Sequence, residues 1–211
     1  MNGKFRNMLV LPAALPVVLL LSACATVSRS SDFYTLSSQA APGGMQASVL
    51  TGCRDAVIGI GPVVWPSYLN RPQIVTRLSP NRISFDEFHR WAGPLEEEFE
   101  RVLIDDLSKR LQTDYIVKYP GKLAYKPQHR VPIKVIQFDG RPGDAVTLKA
   151  AWSVVEPGSG KDSSLHNTDV RVPAAGEGYE AMVAAASEAV AELSRQIAAE
   201  LSIRCGISHG K

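Results

Sequence analysis

The chain has 211 residues, 45% hydrophobic and 21% charged, with 23 basic and 21 acidic side chains and a net charge of +2. That length and balance describe one globular domain with an appendage, and exclude wholesale disorder or a collagen-like repeat. The basic excess of a protein that grips nucleic acid is missing, and three cysteines are too few for a disulfide-built miniprotein.

Lys4 and Arg6 precede an apolar run from Met8 to Leu21, interrupted by Pro12 and Pro16. The run is short for a spanning helix, and its layout is that of a secretory signal peptide. Leu21-Ser22-Ala23-Cys24 follows and resembles a bacterial lipobox. There, small residues fit the signal peptidase, the thiol takes diacylglycerol, and cleavage frees Cys24 as the new amino terminus. Ordinary cleavage at Ala23-Cys24-Ala25 is the bland alternative. On the lipobox reading residues 1–23 are a signal peptide. Lys4 and Arg6 leave with it and no acid does, so the mature side-chain charges balance. The membrane contact is then the acyl chains on Cys24. Each buried CH₂ contributes ~0.8 kcal/mol, and more than one chain is needed for a stable anchor. Ala25 in place of Asp after the cysteine points, in a Gram-negative cell, to the periplasmic leaflet of the outer membrane.

Residues 24–52 read as a lipidated tether rich in Ser, Ala, Gly and Gln, with Pro42-Gly43-Gly44 inside it. Asp32-Phe33-Tyr34-Thr35-Leu36 is a β-prone run within it, a candidate docking strand for the body. The folded domain spans residues 53–206, and residues 207–211 form a tail. Val57 to Val64 predicts a strand in which Gly59 and Gly61 invite close approach of another backbone. Trp65 to Gln73 is a loop punctuated by Pro66 and Pro72. Ile74–Arg77 and Arg82–Phe85 flank a Ser79-Pro80-Asn81 turn as a hairpin.

A helix follows from Pro94 to Leu111. Glu96, Glu97 and Glu98 lie in its first turn, and Lys109 and Arg110 in its last, the favourable signs for its macrodipole. Leu95, Phe99, Val102, Leu103, Leu107 and Leu111 make one apolar face. Short strands are predicted at Tyr115–Tyr119 and Val131–Phe138, with a turn at Asp139-Gly140. Val146, Leu148, Ala150, Trp152 and Val154 then alternate with more polar neighbours, the clearest period-2 signal in the chain. Ser164 to Val172 is its antiparallel partner. Glu177 to Leu201 is a long Ala-rich amphipathic helix. This order predicts an α+β fold: a mainly antiparallel sheet with two amphipathic helices packed on one face.

Cys53 and Cys205 sit at the two ends of the folded region, in a compartment that permits disulfides. One reading is a staple, contributing ~4–5 kcal/mol in the chain-entropy model. The other is two independent buried thiols. With no His pair nearby, a zinc site is a poor fit.

Gly59-Ile60-Gly61 lacks the third glycine of a phosphate loop, and Pro62 removes an amide donor. Glu96 to Glu98 fan outward from consecutive helical positions rather than converge on a substrate. His89, His129, His166 and His209 show no metal spacing, and there is no Gly-x-Ser-x-Gly elbow. No catalytic residue, metal or cofactor is expected. The loop bearing Trp65, Tyr68, Leu69, Arg71 and Gln73 is the candidate partner interface, because aromatic and Arg side chains on a pre-ordered loop are common anchors. The alternative is that Trp65 and Tyr68 merely cover the sheet edge. Arg90-Trp91-Ala92-Gly93-Pro94-Leu95 is a second such concentration, with Trp91 reading as a core residue.

Taken in order, Cys24, Asp32-Phe33-Tyr34-Thr35-Leu36, Ile58-Gly59-Ile60-Gly61-Pro62-Val63, Tyr68-Leu69-Asn70-Arg71-Pro72-Gln73-Ile74-Val75, Arg90-Trp91-Ala92-Gly93-Pro94-Leu95 and Tyr179-Glu180-Ala181-Met182-Val183 form one set. This set resembles the ABC-type transport auxiliary lipoproteins of the PqiC/YmbA type over nearly all of the mature chain. Gly93 departs from the Glu expected in the Trp-Ala-Glu-Pro-Leu pattern. The resemblance implies a non-catalytic lipoprotein of the outer membrane facing the periplasm. It would work with a membrane-anchored MCE-domain protein of a lipid transport system that maintains envelope integrity, as a docking element that self-associates into a ring. A stand-alone structural or assembly lipoprotein of the outer membrane is the alternative.

Overall fold

The computed structural model describes residues 30–40, 53–121, 126–158 and 164–208. Cys24, the signal peptide, most of the tether and the last three residues lie outside them. The elements are β1 (Asp32–Tyr34), β2 (Ile58–Val64), β3 (Gln73–Ser79), β4 (Arg82–Trp91), α1 (Leu95–Leu111), β5 (Ile116–Lys118), β6 (His129–Gly140), β7 (Ala145–Ser153), β8 (Leu165–Pro173) and α2 (Tyr179–Ser208).

The α+β class and the two helices are as the sequence predicts. The eight strands form a single mixed sheet. β3–β4, β6–β7 and β7–β8 are antiparallel, the first two joined by short turns. β2 runs parallel to both β5 and β6, and β1 runs parallel to β4. α1 lies in the long crossovers from β2 to β5 and β6, and β1 reaches β4 through the chain that includes β2 and β3.

β7 buries Val146, Leu148, Ala150 and Trp152 on the face that meets the helices. On α1, Leu95, Phe99, Val102, Leu103, Leu107 and Leu111 are all buried, so the helical stripe read from the sequence is the core stripe. α2 extends seven residues beyond its predicted end at Leu201. Its last turns are held to the body because Cys205 is bonded to Cys53, with Cα atoms 5.2 Å apart. β4 continues through Trp91, well past the predicted hairpin arm.

Gly59 and Gly61 meet the close approach expected of them. A Cβ on Gly59 would lie 2.9 Å from Tyr119 Cβ. On Gly61, at φ +114°, it would lie 2.1 Å from the Tyr119 carbonyl oxygen.

β6 is the branch point of the sheet. On one side it pairs with β7 over most of its length. On the other it pairs with β2 up to Lys134, and with β3 only where Thr76 meets Gly140. The link from β2 to β3, residues 65–72, therefore spans a fork over Val135 to Asp139.

Residues 31–40 lie against the body beyond the short strand β1. Leu36 and Ala40 are buried. Ser38 Oγ and the Ala40 amide both donate to the buried Asp106 carboxylate, at 2.5 and 3.1 Å. The Arg101 guanidinium donates to the Leu36 carbonyl at 2.7 Å, and the Ser37 amide to Ser187 Oγ at 3.1 Å.

His129, at the start of β6, is buried and its Nδ1 has no hydrogen-bond partner. Burial pushes its pKa below the ordinary histidine value; nearby Arg204 adds to the effect and Glu156 opposes it. The unfolded chain therefore binds this proton more readily than the folded one. The stability His129 confers is present above the unfolded value of about 6.5 and is lost as pH falls from there through the lower folded value. Urea unfolding between pH 7.5 and 5 should show that decline. The slope should reach at most about 1.4 kcal/mol per pH unit and be shallower in His129→Gln.

Candidate functional site

The fork is closed by a loop with internal order. A single 3₁₀ turn at Ser67–Leu69 is set by the Leu69 amide donating to the Pro66 carbonyl at 3.0 Å and the Asn70 amide to that of Ser67 at 3.1 Å. Leu69 points inward and is buried. Trp65 packs its ring on Phe99 of α1 and Phe138 of β6, with centroids 5.3 and 6.1 Å away. Its indole Nε1 is buried without a hydrogen-bond partner.

Beneath the loop lies a buried carboxylate. Asp139, in the last turn-ward residues of β6, has a side chain with no exposure. It receives Arg77 in bidentate fashion, Nε to Oδ1 and the terminal nitrogen to Oδ2, both at 2.7 Å. Tyr68 Oη donates to Oδ2 at 2.7 Å and Gln137 Nε2 to Oδ1 at 2.8 Å. Burial and then the Asp139 hydrogen bond push the Tyr68 phenol up to about 12, so it stays protonated as a donor. The bond to Asp139 likewise raises the Arg77 pKa, and the guanidinium keeps its charge. Such charge-assisted, two-point pairs are strong and directional. This one ties β3 to β6, and the Tyr68 hydroxyl on the same carboxylate fixes the 65–72 loop to the sheet.

The two aromatic concentrations in the sequence meet here. β3 and β4 fold back on each other, and the Trp91 amide donates to the Pro72 carbonyl at 2.7 Å. A cleft of about 600 Å³ opens between the 65–72 loop and the segment from Trp91 to Glu97. Trp65, Leu69, Arg71 and Pro72 line it from the loop, and Trp91, Ala92, Pro94 and Leu95 from the end of β4 and the start of α1. Glu96, Glu97 and Lys118 stand at its margin. Lys118 is committed to the buried Glu100, whose hydrogen bond raises the ammonium pKa.

Arg71 is half-buried, its guanidinium 3.6 Å from the centroid of the Phe85 ring and its Nε donating to the Tyr68 carbonyl at 2.9 Å. Gly93 also lines the cleft, and a Cβ there would meet only Glu98 Oε1 at 3.8 Å, so the space would admit a side chain. The Ala92 amide donates to the Tyr34 carbonyl at 2.8 Å, which braces the cleft wall against β1.

Of the five residues singled out on the loop, Trp65, Leu69 and Arg71 line the cleft. Tyr68 turns down to Asp139, and Gln73 turns aside to Glu87 at 3.2 Å. Sequence reading missed Asp139, whose Asp-Gly pair looks like a turn. The strict alternation of β6 fails at its end: a register slip lies between Val135 and Gln137, and the consecutive Phe138 and Asp139 are both buried. Among the described residues no cluster of His, Cys, Asp and Glu could hold a metal ion. The arrangement is a concave surface of mixed character, in which Trp65, Leu69, Trp91 and Leu95 alternate with Asn70, Arg71, Glu96, Glu97 and Lys118.

The model of the ABC-type transport auxiliary lipoprotein component family matches residues 34–198, a stretch that includes the loop, the cleft and most of α2. No curated protein matches the chain. A solved structure of an uncharacterized protein shares the fold at 20% identity and a TM-score of 0.65, over 82% of this chain and 99% of that one. A protein from Xanthomonas campestris does so at 14% identity and a TM-score of 0.66, over 84% and 98%.

Proposed function

The chain belongs to the family of ABC-type transport auxiliary lipoprotein components, and from that premise we propose that it is the lipid-anchored docking subunit of such a system in the periplasm. Its anchor is the acylated Cys24 at the outer membrane, and its system is of the MCE type, moving lipid across the envelope. The chain performs no catalysis; it holds a membrane-anchored MCE-domain partner at the receiving membrane. One observation carries the reading: within the family-matched region, two separate aromatic and proline-rich segments converge on one cleft. Aromatic anchors in a pre-formed concave site are where protein interfaces concentrate their binding energy. Several side chains of this site are fixed by internal hydrogen bonds, so little ordering cost remains to be met on binding.

β1 pairs with β4, and its Tyr34 carbonyl accepts the Ala92 amide of the cleft wall. Ala92 is exposed and close to both walls, so Ala92→Arg fills the cleft without disturbing the core. Co-purification from a mild detergent extract should recover an MCE-domain protein with the unaltered chain. Ala92→Arg should lower that recovery at least tenfold while the thermal midpoint stays within a degree or two. Cys24→Ser should release the protein from the membrane fraction. Undiminished partner recovery with Ala92→Arg would remove the cleft from the docking role.

A further inference from the structure

We propose that the free edge of β8 pairs with β8 of a second copy of this chain, forming a two-fold antiparallel dimer centred on Val170. This is independent of what the cleft binds. β8 pairs with β7 over nine consecutive residues without a register shift, and among the described residues no strand pairs with its other edge. Its only proline, Pro173, is its last residue. A long regular edge with unpaired backbone groups is a template for another strand. The edge strands at the opposite reaches of the sheet, β1 and β5, are only three residues each.

The side chains choose both the partner and the register. Leu165, Asn167, Asp169, Arg171 and Pro173 face solvent, and His166, Thr168, Val170 and Val172 face the helix side. A two-fold axis normal to the sheet keeps each face continuous, so the axis must pass through a residue rather than between two. Centred on Asp169, the pairing sets two carboxylates opposite each other. Centred on Arg171, it opposes two guanidinium groups. Centred on Thr168, it faces Leu165 with Arg171 of the second copy. Centred on Val170, Asp169 meets Arg171 of the second copy and Arg171 meets its Asp169, while Val170 meets itself and Thr168 meets Val172.

Opposite charges directly across a strand pair stabilise it and like charges oppose it. Within each copy Lys149 already pairs with Asp169 at 2.9 Å and Asp144 with Arg171 at 2.5 Å. The assembled sheet would thus carry rows of alternating sign across both copies. Such reciprocal contacts, in which residue i meets j and j meets i, are the mark of an isologous interface.

The test uses the full chain in mild detergent with its native disulfide intact. Asp169→Cys and Arg171→Cys are prepared separately, then mixed and oxidised. The expected result is a covalent dimer in the mixture and little in either variant alone, because position 169 of one copy lies across from position 171 of the other and not from its own counterpart. Sedimentation should also show a concentration-dependent dimer whose dissociation constant rises at least tenfold in Arg171→Asp. Should that variant lose thermal stability, the cysteine mixture still decides. A monomer at every concentration overturns the proposal. So does cross-linking no greater in the mixture than in the single variants, or an assembly whose cross-links map to other strands.

Discussion

Arg77→Met should lower unfolding free energy by about 3 kcal/mol, near the bottom of the range for breaking a buried ion pair. The reason is asymmetric exposure: the Arg77 side chain is 28% exposed and the Asp139 side chain is not exposed at all. Removing the guanidinium leaves a carboxylate in the fork with only Tyr68 and Gln137 as donors. Those two bonds keep the loss from the upper end of the range. Neutralising the acid as well, in Arg77→Met/Asp139→Asn, should recover a good part of the stability, because an amide in that place costs less to bury than an uncompensated charge. Urea denaturation of the four proteins of this cycle measures the coupling. A loss below about 0.5 kcal/mol in the single variant would mean that the pair behaves as a surface contact. Because Tyr68 hangs on the same acid, the single variant should also loosen the 65–72 loop, and Trp65 fluorescence reports that independently.

The second large effect is expected from the disulfide. Cys53 and Cys205 are 152 residues apart in sequence and both are buried. Cross-linking ends so far apart restricts the unfolded chain across nearly the whole domain. The chain-entropy model gives a contribution of about 5 kcal/mol, from which native strain and residual unfolded structure subtract. Cys53→Ala/Cys205→Ala should therefore lose about 3–5 kcal/mol. Dithiothreitol should lower the stability of the unaltered chain and leave the double variant unchanged. A double variant as stable as the parent would assign these cysteines a packing role only.

What could be read from the sequence was whatever repeats locally. The apolar spacing on α1 and the alternation on β7 are properties of consecutive residues, and both recur intact in the core. The β-prone run at Asp32 is likewise visible as a strand, but its partner is β4, more than fifty residues away, and nothing local announces a parallel pairing. The mixed sheet was illegible for the same cause: its parallel pairs depend on long connections between distant strands, not on any strand's own composition.

At the site, the aromatic loop was legible as a concentration of Trp65, Tyr68 and Arg71 between prolines. Which of those side chains face a partner was not, because Tyr68 is drawn inward by a carboxylate seventy-one residues away. Asp139 itself was hidden by the glycine that follows it. The meeting of Trp65 with Trp91 required the β3–β4 hairpin to close, and the length of β4 was underestimated.

The ten residues that run from Ser31 along α1 also have a mechanical meaning. A tug arriving from the amino-terminal side is first shared among Tyr34 on His89, Leu36 on Arg101, Ser37 on Ser187, and Ser38 with Ala40 on Asp106. If those grips yield one after another, the slack they release is about 34 Å of extended chain. Unravelling toward β2 then meets a covalent stop at Cys53. The segment thus gives before the catch takes load, and because β1 braces the cleft wall at Ala92, its release would loosen that wall before the core is strained.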